Sequence, residues 1–435
     1  MDDLDICYEG PGSINIEKSG LLSLKMYYLF GEKEDPFSIY ANNLQAIMDH
    51  AGPGQILPED YFYTFTGIDM SGKKWEANGF SINPSISIPS LGFIIKANIR
   101  SIKCEDNQPY PNTLSAPELQ AIRIFVRGKY ELPWNTYIQA GSSTSLAECK
   151  LTIGSHECSI RNAEDKYIHI TKHFDSEDQQ GYKILLEAFS IATGKSFHPA
   201  IIISKDKNKT IAQIFSNSQT ESRKELLSPI DSHLPSQHES FSKFVNAYYS
   251  KIQEPKSVLY NFWWRVLESK TSSSIDNVCL ILSVAIEGIC KEYFSHLGSK
   301  EIARKDIEEA IALTRNLNIN PRLFNRINGM LNSSNTANPS TILKNLSKQN
   351  TISQEMRNAW ISLRHSSAHA DTIPPEEINN STVQKIINKM HSCLALFYQL
   401  IFEHIDYYGS YTDYSSPFWS KKIRELSPPN ETNRC

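Results

Sequence analysis

The hydrophobic and polar positions divide this chain into two halves of different character. Up to about residue 215, short apolar and aromatic runs are punctuated by Gly, Pro and Asn, the pattern of strands and turns. Tyr61 to Thr66 reads as a strand, Asp69-Met70-Ser71-Gly72 as a turn and Trp75 to Phe80 as the return strand. Gly92 to Ile99, Ala121 to Arg127, Cys149 to Ile153, Lys166 to Ile170 and Ala200 to Ile203 continue the series. One helical pattern, Tyr182 to Ile191, interrupts it. From Ser240 onward the periodicity is helical. It predicts helices over 241–252, 257–269, 274–296, 301–316, 321–331, 341–346, 353–369 and 375–407. Val278, Leu282, Ala285, Ile289 and Tyr293 share one core-facing stripe, and Pro374-Pro375 suits the start of the last helix. The expected fold is therefore α+β and multidomain. An N-terminal antiparallel β-rich domain, sandwich or barrel, spans 1–215 and a polar linker 216–239. An all-α bundle follows over 240–410, with a C-terminal tail over 411–435.

Composition narrows the class. A chain of 435 residues, 40% hydrophobic and 21% charged, is an ordinary globular protein with room for two or three cores. The acidic start Met1-Asp2-Asp3-Leu4-Asp5 lacks the basic and apolar regions of a secretory leader. The longest apolar run, Cys393 to Phe402, is too short to cross a bilayer and reads as buried helix. Eight scattered cysteines without a CxxC pair point to reduced thiols, and together these features predict a soluble cytoplasmic protein with no membrane partner. A net charge of −4 does not suggest a nucleic-acid binder. The charge is uneven, however: residues 239–435 carry 22 Lys and Arg against 19 Asp and Glu, the first 238 residues 22 against 29. That balance permits a basic cleft in the C-terminal half.

The candidate chemistry sits at Leu363-Arg364-His365-Ser366-Ser367-Ala368-His369. A guanidinium offers fixed donors to phosphate oxygens, and an imidazole moves a proton near neutral pH. Ile352, Met356, Ala359 and Leu363 form the apolar stripe of this helix; Arg357, Ile361, Arg364 and Ala368 form its neighbour, which puts Arg364 at the edge of the packed face. Residues five apart lie about 140° apart around an ideal helix, so Arg364 and His369 do not converge on one small group within one straight helix. Either the helix frays before Asp371-Thr372-Ile373-Pro374, or two copies meet across a two-fold axis and pool their side chains. The plainer reading is a surface arginine and a histidine at the negative end of a helix dipole.

A helical bundle carrying WISLRHSSAHAD on its penultimate long helix resembles the HEPN superfamily. Many of its members are metal-independent ribonucleases with an Arg-x4–6-His motif and a polar residue after the arginine, matched here by Arg364, His365 and His369. LSVAIEGICKEYF resembles the acidic-bearing helix of those bundles, with Glu287 as counterpart of its supporting acid. A β-rich N-terminal domain joined to such a bundle resembles ApeA-type anti-phage defence proteins. The likeness covers about 240–407; the N-terminal likeness is architectural. One departure is Asp371, where the HEPN toxins silenced by nucleotidyl transfer carry tyrosine. The resemblance implies a homodimeric endoribonuclease acting in abortive infection, with RNA as substrate, tRNA being one candidate. It also implies a phage-derived trigger acting on the N-terminal sensor domain. Cleavage would proceed by 2′-hydroxyl attack, with Arg364, His369 and His365 catalytic, Glu287 supporting, and neither metal nor cofactor required.

Other patterns compete. His365 and His369 at i, i+4 share a helix face and, with Asp371 or Glu287, could hold a metal. Cys149, His156, Cys158, His169 and His173 loosely resemble zinc-finger spacing but lack a first cysteine pair, which favours packing roles. Asn261-Phe262-Trp263-Trp264-Arg265 could stack bases beside a cation, although adjacent aromatics on a helix point different ways and at least one belongs to the core. Neither a Walker loop nor a GxGxxG is present. The rival function is a non-catalytic RNA- or protein-binding module with a helical dimerisation domain.

Overall fold

Side-chain alternation builds the strands of the first half. The computed structural model describes residues 8–29, 45, 48, 62–87, 92–106, 121–140, 143–163, 167–173, 180–206, 209–216, 225–271, 274–298, 301–315, 319–334, 338–369 and 379–425. The chain forms two compact units, and each is discontinuous in sequence. Unit 1 comprises residues 1–129, 156–179 and 198–223; unit 2 comprises 130–155, 180–197 and 224–435.

Unit 1 is antiparallel β structure. Its strands are β1 (Gly12–Ile16), β2 (Leu22–Leu29), β3 (Tyr63–Ile68), β4 (Lys74–Phe80), β5 (Ile82–Ser87), β6 (Gly92–Ile99), β7 (Ser101–Asp106) and β8 (Ala121–Arg127). After β9 (Thr136–Ala140) and β10 (Ser143–Ile153), which belong to unit 2, the unit resumes with β11 (His156–Ala163), β12 (Tyr167–His173), β13 (Pro199–Asp206) and β14 (Lys209–Phe215). One sheet has the order β1-β2-β6-β5, and the unit 1 strands of the larger, ten-stranded sheet run in the order β3-β4-β7-β14-β13-β8-β12-β11. Leu22, Leu24, Ala97 and Ile99 from the small sheet share a buried cluster with Ala77, Phe80 and Ile102 from the large one. The packing at this end is a two-layer sandwich. The β3–β4 hairpin forms where expected because Asp69 organises the turn. Its Oδ1 accepts from the Ser71 and Lys73 amides, and its Oδ2 accepts from Trp75 Nε1 at 3.0 Å. Those donors, the Ser71 hydroxyl first, hold the Asp69 carboxyl well below the usual carboxylate range. Farther along the sheet, Ile202, Ile124, Ile170 and Ile160 lie side by side on β13, β8, β12 and β11 and are at most 6% exposed.

Unit 2 contains α1 (Gly181–Thr193), α2 (His238–Lys251), α3 (Val258–Ser269), α4 (Ile275–Tyr293), α5 (Glu301–Arg315), α6 (Pro321–Ser334), α7 (Pro339–Lys348), α8 (Gln354–His369) and α9 (Asn380–His404). The apolar stripe expected on α4 is buried at Val278, Leu282, Ala285 and Ile289, and Cys393 to Phe402 of α9 are buried throughout. α4 packs against α3, α8 and α9, and Phe262 of α3 rests where Gly288 of α4 has no side chain: a Cβ there would sit 2.1 Å from the ring. α9 starts at Asn380, with Asn379 capping the Thr382 amide at 3.0 Å. The start expected at Pro374-Pro375 lies outside the described residues.

The domain boundaries differ from the contiguous division expected from sequence. Segments 130–155 and 180–197 belong to unit 2, which therefore contains the β9–β10 hairpin and α1. Asn246 of α2 donates to Thr152 O and accepts from the Gly154 amide, tying α2 to β10. Glu187 of α1 is buried and accepts from Tyr248 of α2 at 2.9 Å and from the Lys256 amide ahead of α3. Residues 225–239, expected as linker, are also part of unit 2. Leu226 and Ile230 are buried, and Tyr398 of α9 donates to Leu227 O at 2.7 Å. The expected tail likewise folds through residue 425: β15 (Ser410–Thr412) pairs with β16 (Lys421–Ile423), and the wholly buried Asp413 pairs with Lys422 at 2.5 Å. Polar composition marked both stretches as connectors, whereas their few apolar side chains and backbone groups anchor them. Among the described residues, no helix is long and apolar enough to cross a membrane.

Candidate functional site

Two helices build the site. On α8, Ile352, Met356, Trp360 and Leu363 are all at most 4% exposed and seat the helix in the unit 2 core. Trp360 takes the stripe position that sequence periodicity gave to Ala359, which is only half-buried. Its indole N–H donates to Ser283 O of α4 at 3.2 Å. One turn later on both helices, Arg364 Nε donates to Glu287 Oε2 at 3.1 Å. Two contacts with the same offset show that α4 and α8 run side by side in the same direction at this point.

Arg364 is thus fixed from two sides. Its guanidinium carbon lies 5.6 Å from the Trp360 ring centroid, a cation–π contact, while Glu287 holds Nε. Glu287 also accepts from Lys291 Nζ at 2.7 Å. Burial opposes ionisation of Glu287, but the Lys291 hydrogen bond and the Arg364 and Lys291 charges outweigh it and hold its pKa below the ordinary value. The Arg364 side chain remains 54% exposed. At that exposure the ion pair contributes about 0–1 kcal/mol and the cation–π contact about 0.5–1 kcal/mol. The arrangement therefore does little for stability, and its consequence is orientation.

His365 follows Arg364 on the exposed side of α8, and His369 is the last residue of the helix; the His369 side chain lies outside what the structure describes. Geometry thus joins Glu287 to Arg364 and places His365 beside it in sequence, while the Arg364–His369 relation rests on helix spacing alone. Lys389 of α9 donates to Ser362 Oγ at 2.8 Å, adding a cation on the neighbouring helix. Lys291 and Trp360 were missed by sequence reasoning. Glu287-x3-Lys291 is the favourable i, i+4 order and was legible, and Trp360 stands four residues before Arg364.

The competing clusters are dispersed. Asp371 lies outside the described residues, and Glu287 is engaged by two cations. Among the described residues, no group of three or more His, Cys, Asp and Glu side chains is arranged to hold a metal ion. Cys149 belongs to unit 2, whereas His156, Cys158, His169 and His173 belong to unit 1. Cys158 is wholly buried with its thiol pushed up to about 12 by burial, and strand alternation puts His169 on the opposite face. The His173 side chain is outside the described set. In the aromatic run of α3, Trp263 is wholly buried and Tyr260 stacks on both Trp263 and Trp264. Trp263 is thus the core member expected of the run, while Phe262 and Trp264 are half-buried and Arg265 is exposed. No protein-family model, curated protein or solved structure matches the chain.

Proposed function

We propose that the protein is a metal-independent endoribonuclease of the HEPN class, acting as a homodimer in anti-phage defence by abortive infection. The observation that carries the reading is the Arg364–Glu287 pair at 3.1 Å, with the guanidinium held over Trp360. A preoriented, largely exposed cation is what an anionic phosphoryl transition state requires. With Nε engaged by the carboxylate, the terminal nitrogens Nη1 and Nη2 are the donors through which a phosphate would be taken.

In the proposed reaction the RNA 2′-oxygen attacks the adjacent phosphorus. The 2′-hydroxyl proton passes to His369 as base, and the P–O5′ bond breaks as the 5′-oxygen receives a proton from a second imidazole. The products are a 2′,3′-cyclic phosphate and a 5′-hydroxyl. Proton transfer of this kind contributes about 10²–10⁴-fold. His365 helps hold the phosphate. Helix geometry separates Arg364 from His369 by about 140°; in the proposed dimer two copies pool these side chains, which brings an Arg364 and two imidazoles to one phosphate. An exposed apolar strip supports that pairing: Leu280 and Val284 of α4 and Ile361 of α8 are 39%, 52% and 37% exposed and lie within one to two turns of Glu287 and Arg364. Unit 1 serves as the sensor for a phage-derived trigger, a role argued from architecture.

The test is incubation of purified protein with total RNA, tRNA included, in EDTA. Cyclic-phosphate ends that disappear in Arg364→Ala and in His369→Ala support the reading. Cleavage by both variants at the wild-type rate rejects the site, and inhibition by EDTA moves the metal reading ahead. A chain that binds RNA or protein without cutting is the non-catalytic binding module.

A further inference from the structure

The large sheet of unit 1 carries a surface that the nuclease reading does not use. On the side of β13, β8, β12 and β11 opposite the buried isoleucine row, strand register aligns Ile201, Phe125, His169 and Arg161 in one row. The adjacent row is Ile203, Arg123, Thr171 and Ser159. All eight side chains keep solvent exposure. Phe125 and His169 stack face to face, with centroids 4.7 Å apart and planes 16° from parallel. Burial and then the charges of Arg123 and Arg161 push the His169 pKa below its ordinary value, so both guanidinium groups act on the stack. Thr171 Oγ1 lies 3.2 Å from His169 Nε2, and the Ser159 hydroxyl accepts from Arg161. Among the described residues, Glu157 at the start of β11 is the one acid on this side of these four strands.

A planar aromatic pair bracketed by arginines on an open sheet face has the chemistry of a single-strand platform. Bases stack on rings without regard to sequence, and phosphates spaced along the strand meet the flanking cations. A folded protein surface would instead be expected to bring a contiguous apolar patch or carboxylates to this face. The threonine and serine hydroxyls in the rows favour a ribose-bearing strand, because the 2′-hydroxyl both donates and accepts. We propose that this face of unit 1 binds single-stranded RNA, with Phe125 and His169 stacking bases and Arg123 and Arg161 holding phosphates. The binding does not depend on the Arg364 reading and holds whether or not the RNA is cut.

The experiment is fluorescence anisotropy of the full chain with a fluorescein-labelled oligouridine of about ten nucleotides, within the usual range for such surfaces, and with the matching oligodeoxythymidine. All proteins carry Arg364→Ala so that the probe is not consumed. Phe125→Leu, which keeps an apolar side chain, should weaken RNA binding about tenfold, and Phe125→Tyr should bind as its parent. Arg123→Gln with Arg161→Gln should lower the log–log salt slope by about 1.4, at about 0.7 for each single-strand phosphate contact. Should the leucine variant fail to fold, as judged by its melting curve, the tyrosine and arginine variants still decide. The proposal is overturned by a parent that does not bind RNA at low salt, or by leucine and glutamine variants that bind as the parent does. Equal affinity for RNA and DNA overturns the assignment to RNA. A loss of cleavage by Arg364→Ala in the separate EDTA assay bears on the nuclease reading alone.

Discussion

The functions proposed for the helical face around Arg364 and the sheet face around Phe125 call on the same chemical groups in opposite geometries. On α8 each residue turns about 100°, so neighbouring polar residues scatter around the axis, and the site gains a second group only where another helix supplies it. Glu287 of α4 does so at 3.1 Å. On β8, β12 and β11 every second side chain faces the same way, and register repeats the pattern across strands. The helix pair thus makes a point contact with a fixed direction, whereas the sheet makes an extended surface. A reaction at one phosphorus suits the first, and holding several nucleotides suits the second.

The contrast is broken most severely at Trp360. Its indole is buried and hydrogen-bonded, so Trp360→Ala should cost about 3–5 kcal/mol in urea unfolding and remove the surface under Arg364. The half-exposed Phe125 should lose only about 1 kcal/mol on change to Leu. Equal losses at the two positions would remove the distinction between a core-seated and a surface-laid aromatic.

Next in size is Arg364→Ala, expected to lower RNA cleavage by about 10²–10³-fold, the usual cost of deleting a transition-state donor. Binding to oligouridine should stay within a factor of about two, since on the proposal above the sheet face of unit 1 holds the strand. Collapse of binding together with cleavage would show that one site, not two, handles the RNA.

Glu287→Gln tests orientation. Cleavage should fall about tenfold, while stability at pH 7 changes by less than about 1 kcal/mol because the pair is half-exposed. The sign with pH follows from the lowered pKa of Glu287. Its contribution is complete above the ordinary carboxylate value and is lost as pH falls through the lower folded value. Wild type and variant should therefore converge in melting temperature in acid. A gap that widens as pH falls would contradict the ion pair.

His404, tilted against Tyr293 with ring centroids 3.8 Å apart, supplies a control away from both faces. Burial, aided by the Lys251 charge and opposed by Asp406, lowers its pKa to about 4 from the ordinary 6.5. The unfolded chain then binds the extra proton between those values, so stability should decline as pH drops from 6.5 to 4. His404→Leu should flatten part of that slope in thermal melts. An unchanged slope would place the titration elsewhere. The variant also serves as a control, because its cleavage activity should match wild type.

Much of this was legible in the residues. β6 and β8 fall on the predicted segments Gly92 to Ile99 and Ala121 to Arg127, because alternation and flanking turns mark them locally. β1, β5 and β7 were missed because their apolar content is diluted by polar residues; β2, apolar or aromatic at six of its eight positions, was legible but missed, as were β9, β11 and β14. Arg364 and Glu287 were singled out from the motif and its resemblance, but their pairing joins residues 77 apart. Trp360 was passed over for Ala359, since a 3.6-residue period leaves adjacent positions equally eligible until a partner helix is present.

The sequence by itself determined the element types, the β-then-α order and the residues able to handle phosphate, because each follows from local periodicity and side-chain chemistry. Only the tertiary structure decided that segments 130–155 and 180–197 belong to the helical unit. It alone set Arg364 against Glu287 and laid Phe125 on His169. Those outcomes depend on which buried faces meet and in what register, and amphipathic patterns state that a face must be covered without naming what covers it.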